Sequence, residues 1–456
     1  MRYTIHKQLP IVCTLVDHEH AEELNQMSQV LDSFGLELSR MVYEDLIRDI
    51  INPEKGRPGM TAEQVLRALV IKQMRGFSYE QLEFHLKDST SYKRFCRYGI
   101  ADEPPSISAL KRNLKLVTSE TLEAINQKLL GYAIDRGIED GSRIRTDCTV
   151  EETNIHRPSD SHLLYDSVRV LARLMARVSD DIEDIEGLAF TDHRRRAKRR
   201  WRNIEHTGKE SERKRFYRDL IQITEKTVQY AFSVVTSLEQ YESPDVFEYC
   251  SITSLSDKLK HYGLLAQKVI DQTKRRVLFG ETVPADEKVV SIFEPHTNII
   301  IKSRRDTFFG HKLCLTTGQS ALVLDCVVED GNPADSKLAV EMVERVSKIY
   351  NAIPCQAAFD GGFASRENLV NIKELGVQDV VFNKKCGLEV SQMASSSWVY
   401  RYLSNFRAGI EGGISFLKRC FGLSRCMWKG LASFKSYTWA SILSHNLLVL
   451  ARHRLC

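Results

Sequence analysis

"CQAAFDGGFASRENLVNIKELGVQDVVFN", residues 355–383, holds the alternation that decides the fold. A buried-strand pattern, "CQAAFD" (355–360), ends on Asp360 and is followed at once by Gly361-Gly362. Helical spacing then covers "SRENLVNIKEL", and a second short apolar run, "DVVFN" (379–383), reads as another strand. Strand, helix and strand in succession place helices against a sheet. Upstream, "VVSIF" (289–293), "NIIIK" (298–302), "GHKLCLTT" (310–317) and "ALVLDCVV" (321–328) read as consecutive strands, followed by a helix over "DSKLAVEMVERVSKIY". Farther upstream, "SRIRTDCTVEET" (142–153) alternates Ile144, Thr146, Cys148 and Val150 with the period of a strand. Downstream, "RAGIEGGISFLKRCFG" (407–422) carries Ile410, Ile414, Leu417 and Phe421 at helical spacing, and an apolar helix follows over about 433–453. A meander that gives way to alternating helices and strands predicts a mixed α/β core.

Two helical regions flank the first strand. Residues 61–140 read as a compact unit: Thr61 with Gln64 forms a capping box ahead of Val65, Leu66, Leu69 and Val70, and Gly76 ends that helix. Ser78 with Gln81 opens the next, which carries Leu82, Phe84 and Leu86. After Pro104-Pro105, Ser108 is the expected cap of "ALKRNLKLV". That short basic helix suits either a recognition helix that brings Lys111 and Arg112 to DNA or a packing and dimerisation unit. From about 161 to 275 three helical segments form an expected inserted hairpin or bundle, with a basic block between the first two.

The totals narrow the class. The chain has 456 residues, 43% apolar and 27% charged, which excludes disordered and collagen-like chains. No apolar run reaches bilayer-spanning length, and the N-terminus lacks a signal-peptide pattern, so a cytosolic protein is expected. Eleven cysteines are scattered singly without a CxxC pair, which argues against a zinc ribbon. Cys13, Cys148, Cys314 and Cys326 sit in apolar segments and are expected to be buried thiols. His18 and His20 suit either a solvated pair or a metal-binding one.

Net charge is only +4, but "HRRRAKRRWRN" (193–203) concentrates Arg194, Arg195, Arg196, Lys198, Arg199, Arg200 and Arg202. Lys209, Arg213, Lys214, Arg215 and Arg218 follow. A block this dense repels itself unless a polyanion neutralises it, so nucleic-acid phosphate is the expected partner, beside the plainer reading of a solvated helix face.

Three acids carry the chemistry. Asp147 lies inside an otherwise apolar strand, Asp360 ends a strand, and Glu411 sits on the helix after the next strand. Carboxylates beside a core need a cation or a donor. Together the three suit a shared hard divalent metal; singly, each suits a local contact, such as Asp360 capping the turn that follows it. Arg407, Glu411 and Lys418 fall on nearly one helix face, because separations of four, seven and eleven residues approach whole turns. Gly412 and Gly413 remove side chains next to the acid and predict a close approach there by the sheet, the metal site or DNA.

These motifs resemble the DDE transposases of bacterial insertion sequences, the ISNCY type in particular. The resemblance rests on "RTDCTVEETNIHRPSDS", "AFDGGFASRENLVNIKELGVQDVVFNKK" and "RAGIEGGISFLKRCFGL", and covers roughly residues 60–455. Arg407, Glu411 and Lys418 match the family's Arg-three-Glu-six-Lys signature, whereas the family's preceding Tyr falls on Ser404, with Tyr402 out of register. "FGHKLCLT" resembles the family's Gly-x-Lys strand and makes Lys312 a candidate DNA contact. The resemblance implies a ribonuclease-H-like core with a helical insertion after its first strand. The implied divisions are an N-terminal helical DNA-binding or dimerisation region (1–140), the first core strand (141–155), the insertion with its basic segment (156–285) and the rest of the core (286–456). It also implies that Asp147, Asp360 and Glu411 hold two Mg²⁺ or Mn²⁺ ions about 3.5–4 Å apart for cleavage and transfer of DNA strands. Asp325, on the preceding strand, is a decoy on this reading. The implied partners are double-stranded DNA, as terminal inverted repeats and target, and a second copy of the chain when ends are paired. The implied location is the cytoplasm, at the bacterial nucleoid. The competing functions are a transposase-derived DNA-binding protein without catalysis and a metal-dependent nuclease without strand transfer.

Overall fold

The structure is a computed structural model that describes every residue except 6–15, 182–189, 242–244, 303–305, 385 and 456; Cys13 therefore lies outside the described residues. The chain divides into two units, residues Met1–Asn154 with Gly310–Cys456, and residues Ile155–Phe309.

The first unit begins with helices α1 (Glu19–Asp32), α2 (Glu37–Ile47), α3 (Ala62–Arg75), α4 (Tyr79–Asp88), α5 (Thr90–Phe95), α6 (Ile107–Leu114) and α7 (Ser119–Asp135). Both expected capping boxes form, Thr61 with Gln64 and Ser78 with Gln81, and Gly76 ends α3 in the left-handed region at φ 62°. The basic helix α6 starts earlier than its sequence suggests. Its cap is Ser106, whose hydroxyl accepts from the Ala109 N–H, and Ser108 lies inside the helix. Phe84 of α4 points outward rather than into the core.

The sheet contains β1 (Arg143–Thr153), β2 (Asn298–Ile301), β3 (Thr307–Thr317), β4 (Val323–Val328), β5 (Gln356–Phe359), β6 (Asp379–Phe382) and the short β7 (Arg425–Cys426). Its path is β2-β3-β1-β5-β6, with β4 also on β3 and β7 also on β1. β1 pairs antiparallel with β3 and parallel with β5, and β5 pairs parallel with β6. The order β4-β3-β1-β5-β6, three antiparallel strands and then two parallel ones, is that of a ribonuclease-H-like core. Helices α12 (Ala339–Tyr350), α13 (Arg366–Glu374), α14 (Val390–Met393), α15 (Ser397–Cys420) and α16 (Leu431–His453) complete the unit. One continuous apolar core joins the sheet, the N-terminal helices and α16. Inside it, the Asn446 amide accepts from the Val323 N–H at 2.9 Å and donates to the Val323 carbonyl at 2.7 Å, fixing the start of β4. Cys148, Cys314 and Cys326 are buried free thiols.

The second unit has its own apolar core, built by α8 (Asp160–Asp181), α9 (Arg194–His206), α10 (Glu210–Gln240) and α11 (Val246–Thr273). The basic block is itself a helix, α9, so the insertion has four helices among the described residues rather than three segments. "VVSIF" is no strand. Val289, Val290 and Ile292 are buried, and the Gln272 amide satisfies both the N–H and the carbonyl of Val289, at 2.9 and 3.1 Å. A side chain has taken the place of a neighbouring strand, which the apolar pattern alone does not reveal. No described helix is long and apolar enough to cross a membrane.

Candidate active site

The β1–β5 register runs from Arg143 opposite Gln356 to Thr146 opposite Phe359. One further step along both strands reaches Asp147 and Asp360. α15 lies over this part of the sheet, with Leu403, Arg407, Ile410 and Leu417 as its buried positions. Glu411 therefore emerges one turn beyond Arg407, and its side chain is 61% exposed.

Arg407 stands among all three acids. Its Nη2 lies 2.8 Å from Asp360 Oδ1 and 3.5 Å from Asp147 Oδ2, while Nη1 donates to Glu411 Oε1 at 2.8 Å. The residue is only 7% exposed. Expected as a DNA contact, Arg407 is instead turned inward, because α15 packs it on the sheet between carboxylates from three elements. Three acids around one guanidinium leave an excess of negative charge. Oxygen donors converging this way suit a hard divalent cation, which prefers carboxylate ligands and water. Asp360 does not cap the turn after β5 through its side chain; the Phe363 N–H donates to its main-chain carbonyl at 3.1 Å.

Glycine matters at this site, though not at the positions expected. A Cβ on Gly412 or Gly413 would meet nothing within 4 Å, so the sheet does not approach there. A Cβ on Gly409 would lie 2.1 Å from Arg145 Nη1, which donates to the Phe406 carbonyl at 2.7 Å. Gly361 likewise makes room for the stem of Lys384, and Gly362 for Asp335. Lys384, exposed just beyond β6, is a cation beside the Asp360 turn that sequence reasoning passed over; its signal was the Gly-Gly pair.

Other expected site residues fall elsewhere. Lys312 is buried, pairs with Asp335 and donates to the Pro333 carbonyl at 2.6 Å, so its ammonium is spent within the fold and not displayed to DNA. Lys418 is half-buried, and its charge acts on Glu151. Burial pushes the Glu151 carboxyl up to about 8, against the pull of the Thr438 hydroxyl and Lys418. Asp325 is fully buried in a two-pronged pair with Arg345, Nε to Oδ2 at 2.5 Å and Nη2 to Oδ1 at 2.9 Å, which accounts for it structurally.

The basic candidates divide by partner. Arg194 pairs with Asp192, and both Arg196 and Arg200 pair with Asp219. Arg195, Lys198, Arg199 and Arg202 are exposed at helical spacing on one face of α9. On α6, exposed Lys111 lies 3.2 Å from Glu80, and exposed Arg112 lines a cavity with Arg2 and Arg57. His18 is the N-cap of α1, its Nδ1 accepting from the His20 N–H at 3.1 Å, which makes a local cap of the pair.

A sheet of this order, with Asp147 on β1, Asp360 just past the end of the neighbouring parallel β5 and Glu411 on the packed helix, has the arrangement of a ribonuclease-H-like core. Residues 281–447 match the model of the transposase DDE domain, and residues 14–116 match a second model described as a transposase domain (DUF772). The chain belongs to the DDE transposases of insertion sequences. Enzymes of this family act on DNA and use divalent metal ions. No curated protein and no solved structure matches the chain.

Proposed function

We propose that this chain binds the terminal inverted repeats of its own element and carries out both DNA strand cleavage and strand transfer, with Asp147, Asp360 and Glu411 as the metal ligands. The observation that carries this reading is the convergence of the three carboxylates on Arg407. Those oxygens suit two Mg²⁺ or Mn²⁺ ions, which when bound would activate the attacking hydroxyl and stabilise the leaving oxygen. The protein holds the three acids at fixed separations on two strands and one helix. Arg407 neutralises part of their repulsion while no metal is bound. Lys384 and Lys418 supply positive charge on either side for the phosphodiester, and the exposed face of α9 with Lys111 and Arg112 binds the flanking backbone. Pairing two ends calls for two copies of the chain.

The test is an end-containing duplex incubated with protein and Mg²⁺. Wild type should nick at the element boundary and yield joined products with a target duplex. Asp147→Asn, Asp360→Asn and Glu411→Gln should each abolish both reactions while retaining DNA binding. Cleavage that survives in those variants would sink the assignment. Cleavage without joined products would make the chain a nuclease, and metal-independent binding without cleavage would make it a binding protein only.

A further inference from the structure

The second unit holds a cluster of metal-ligating side chains that DNA chemistry does not use. His156, His162 and Asp166 each present one ligand atom, and the three atoms lie within 4.8 Å of one another. His156 comes from the segment after β1, and the other two come from adjacent turns of one face of α8. We propose that these residues form a binding site for a divalent transition-metal ion of the Zn²⁺ class.

Geometry carries the assignment. His162 Nε2 stands 3.6 Å from Asp166 Oδ2. That is too long for a hydrogen bond. It is close to the separation of about 3.3 Å between two ligand atoms on a tetrahedral ion with bonds of roughly 2.0–2.1 Å. The other carboxylate oxygen, Oδ1, is ion-paired with Arg169 Nη2 at 2.7 Å, which leaves Oδ2 as the oxygen on the histidine side. Asp166 is buried. The His156 ring stacks on His162, centroids 4.8 Å apart with 22° between the ring planes. Trp201 packs 5.0 Å from His162 and stacks on Tyr165, closing one side of the site. His156 is exposed, which leaves the opposite side open for a water ligand.

The donor set selects the metal. Two imidazoles and one carboxylate suit Zn²⁺ and its borderline neighbours, whereas Mg²⁺ and Ca²⁺ prefer oxygen. The ion here would therefore differ from the one at the all-carboxylate site. Its effect would be structural: it ties the segment leaving β1 to α8, and through Trp201 to α9, whose outer face carries the free arginines.

The experiment uses tag-free full-length protein carrying Asp147→Asn, Asp360→Asn and Glu411→Gln, so that the carboxylate cluster does not contribute. After treatment with EDTA and dialysis it is titrated with Zn²⁺ by calorimetry, and with Co²⁺ followed by visible ligand-field absorption. One equivalent of Zn²⁺ should bind at about micromolar concentration or tighter, and Co²⁺ should give a tetrahedral-type spectrum. Adding His156→Ala, at an exposed position where the fold has little to lose, should weaken Zn²⁺ by at least ~10-fold and bleach the Co²⁺ band. Absence of stoichiometric Zn²⁺ binding, or unchanged affinity in both the His156→Ala and His162→Gln backgrounds, would overturn the proposal. Neither outcome bears on strand cleavage, which depends on the other three acids.

Discussion

Replacing Arg407 by methionine keeps much of the side-chain bulk and removes the charge that touches all three acids. Unit charges 4 Å apart attract by about 4 kcal/mol at an effective dielectric constant of 20. Two of the partners are well solvated, Asp360 at 37% and Glu411 at 61% side-chain exposure, so water reduces each of those pairs to about 1 kcal/mol or less. Asp147 is better shielded at 16% but sits at 3.5 Å. Together the loss is about 2–3 kcal/mol in metal-free protein. The same attraction opposes an entering cation, because the guanidinium holds oxygens that the metal needs. Arg407→Met should therefore lower Tm in EDTA and bind Mn²⁺ at least ~10-fold more tightly without DNA, at 1.4 kcal/mol per factor of ten. Metal at 100 times its Kd adds about 2.7 kcal/mol, enough to restore the lost stability. The assay is a Mn²⁺ titration read by calorimetry and by thermal melting. Equal or weaker Mn²⁺ binding in the variant would refute the idea that Arg407 stands in for the metal.

Four further outcomes follow from local features of the structure. Gly409→Ala should cost about 1–3 kcal/mol in urea unfolding, because the new Cβ displaces the Arg145 guanidinium. Gly413→Ala meets open space and should be neutral or gain up to ~1 kcal/mol of helix propensity; any loss of strand transfer in it would then report an approach by DNA. Arg345→Met should destabilise more than Asp325→Asn, since it strands a fully buried carboxylate while the reverse leaves a one-third-exposed arginine; the opposite ranking in denaturant melts would contradict the pairing. Glu151 gains protons on folding, its carboxyl raised from about 4.5 to about 8, so it makes stability fall as pH rises across that window. Glu151→Gln should flatten that slope, measured as Tm against pH.

The acids were legible because each breaks a pattern. A carboxylate inside an alternating strand, at a strand end before Gly-Gly, or beside an apolar helical stripe has no packing reason to be there. Capping boxes were legible because they are local. What escaped the sequence was non-local. Gln272 serves the backbone of Val289 across the second unit, so an apolar run that reads as a strand is not one. Lys312 is claimed by Asp335, some twenty residues on, and the basic block loses Arg196 and Arg200 to Asp219 of the next helix. The glycines illustrate the same limit. Gly412 and Gly413 stand as an adjacent pair in the sequence, yet the close approach is at Gly409, dictated by an arginine on a strand more than 250 residues earlier.

Glu152 and Gly310 are ladder partners, although the whole second unit lies between them in sequence. Closing so long a loop costs about 3 kcal/mol more than a four-residue turn if its interior is random. An insertion that folds around its own core first removes most of that cost by bringing its ends together. Synthesis imposes the same order. At roughly 5–20 residues per second, some 13–50 s separate the emergence of Asp147 from that of Glu411. Once α9 has emerged, for the greater part of that interval, the growing chain displays its basic face while the acid cluster is incomplete. On the function proposed above, the nascent chain would hold DNA for about 10–40 s before its acid cluster is complete.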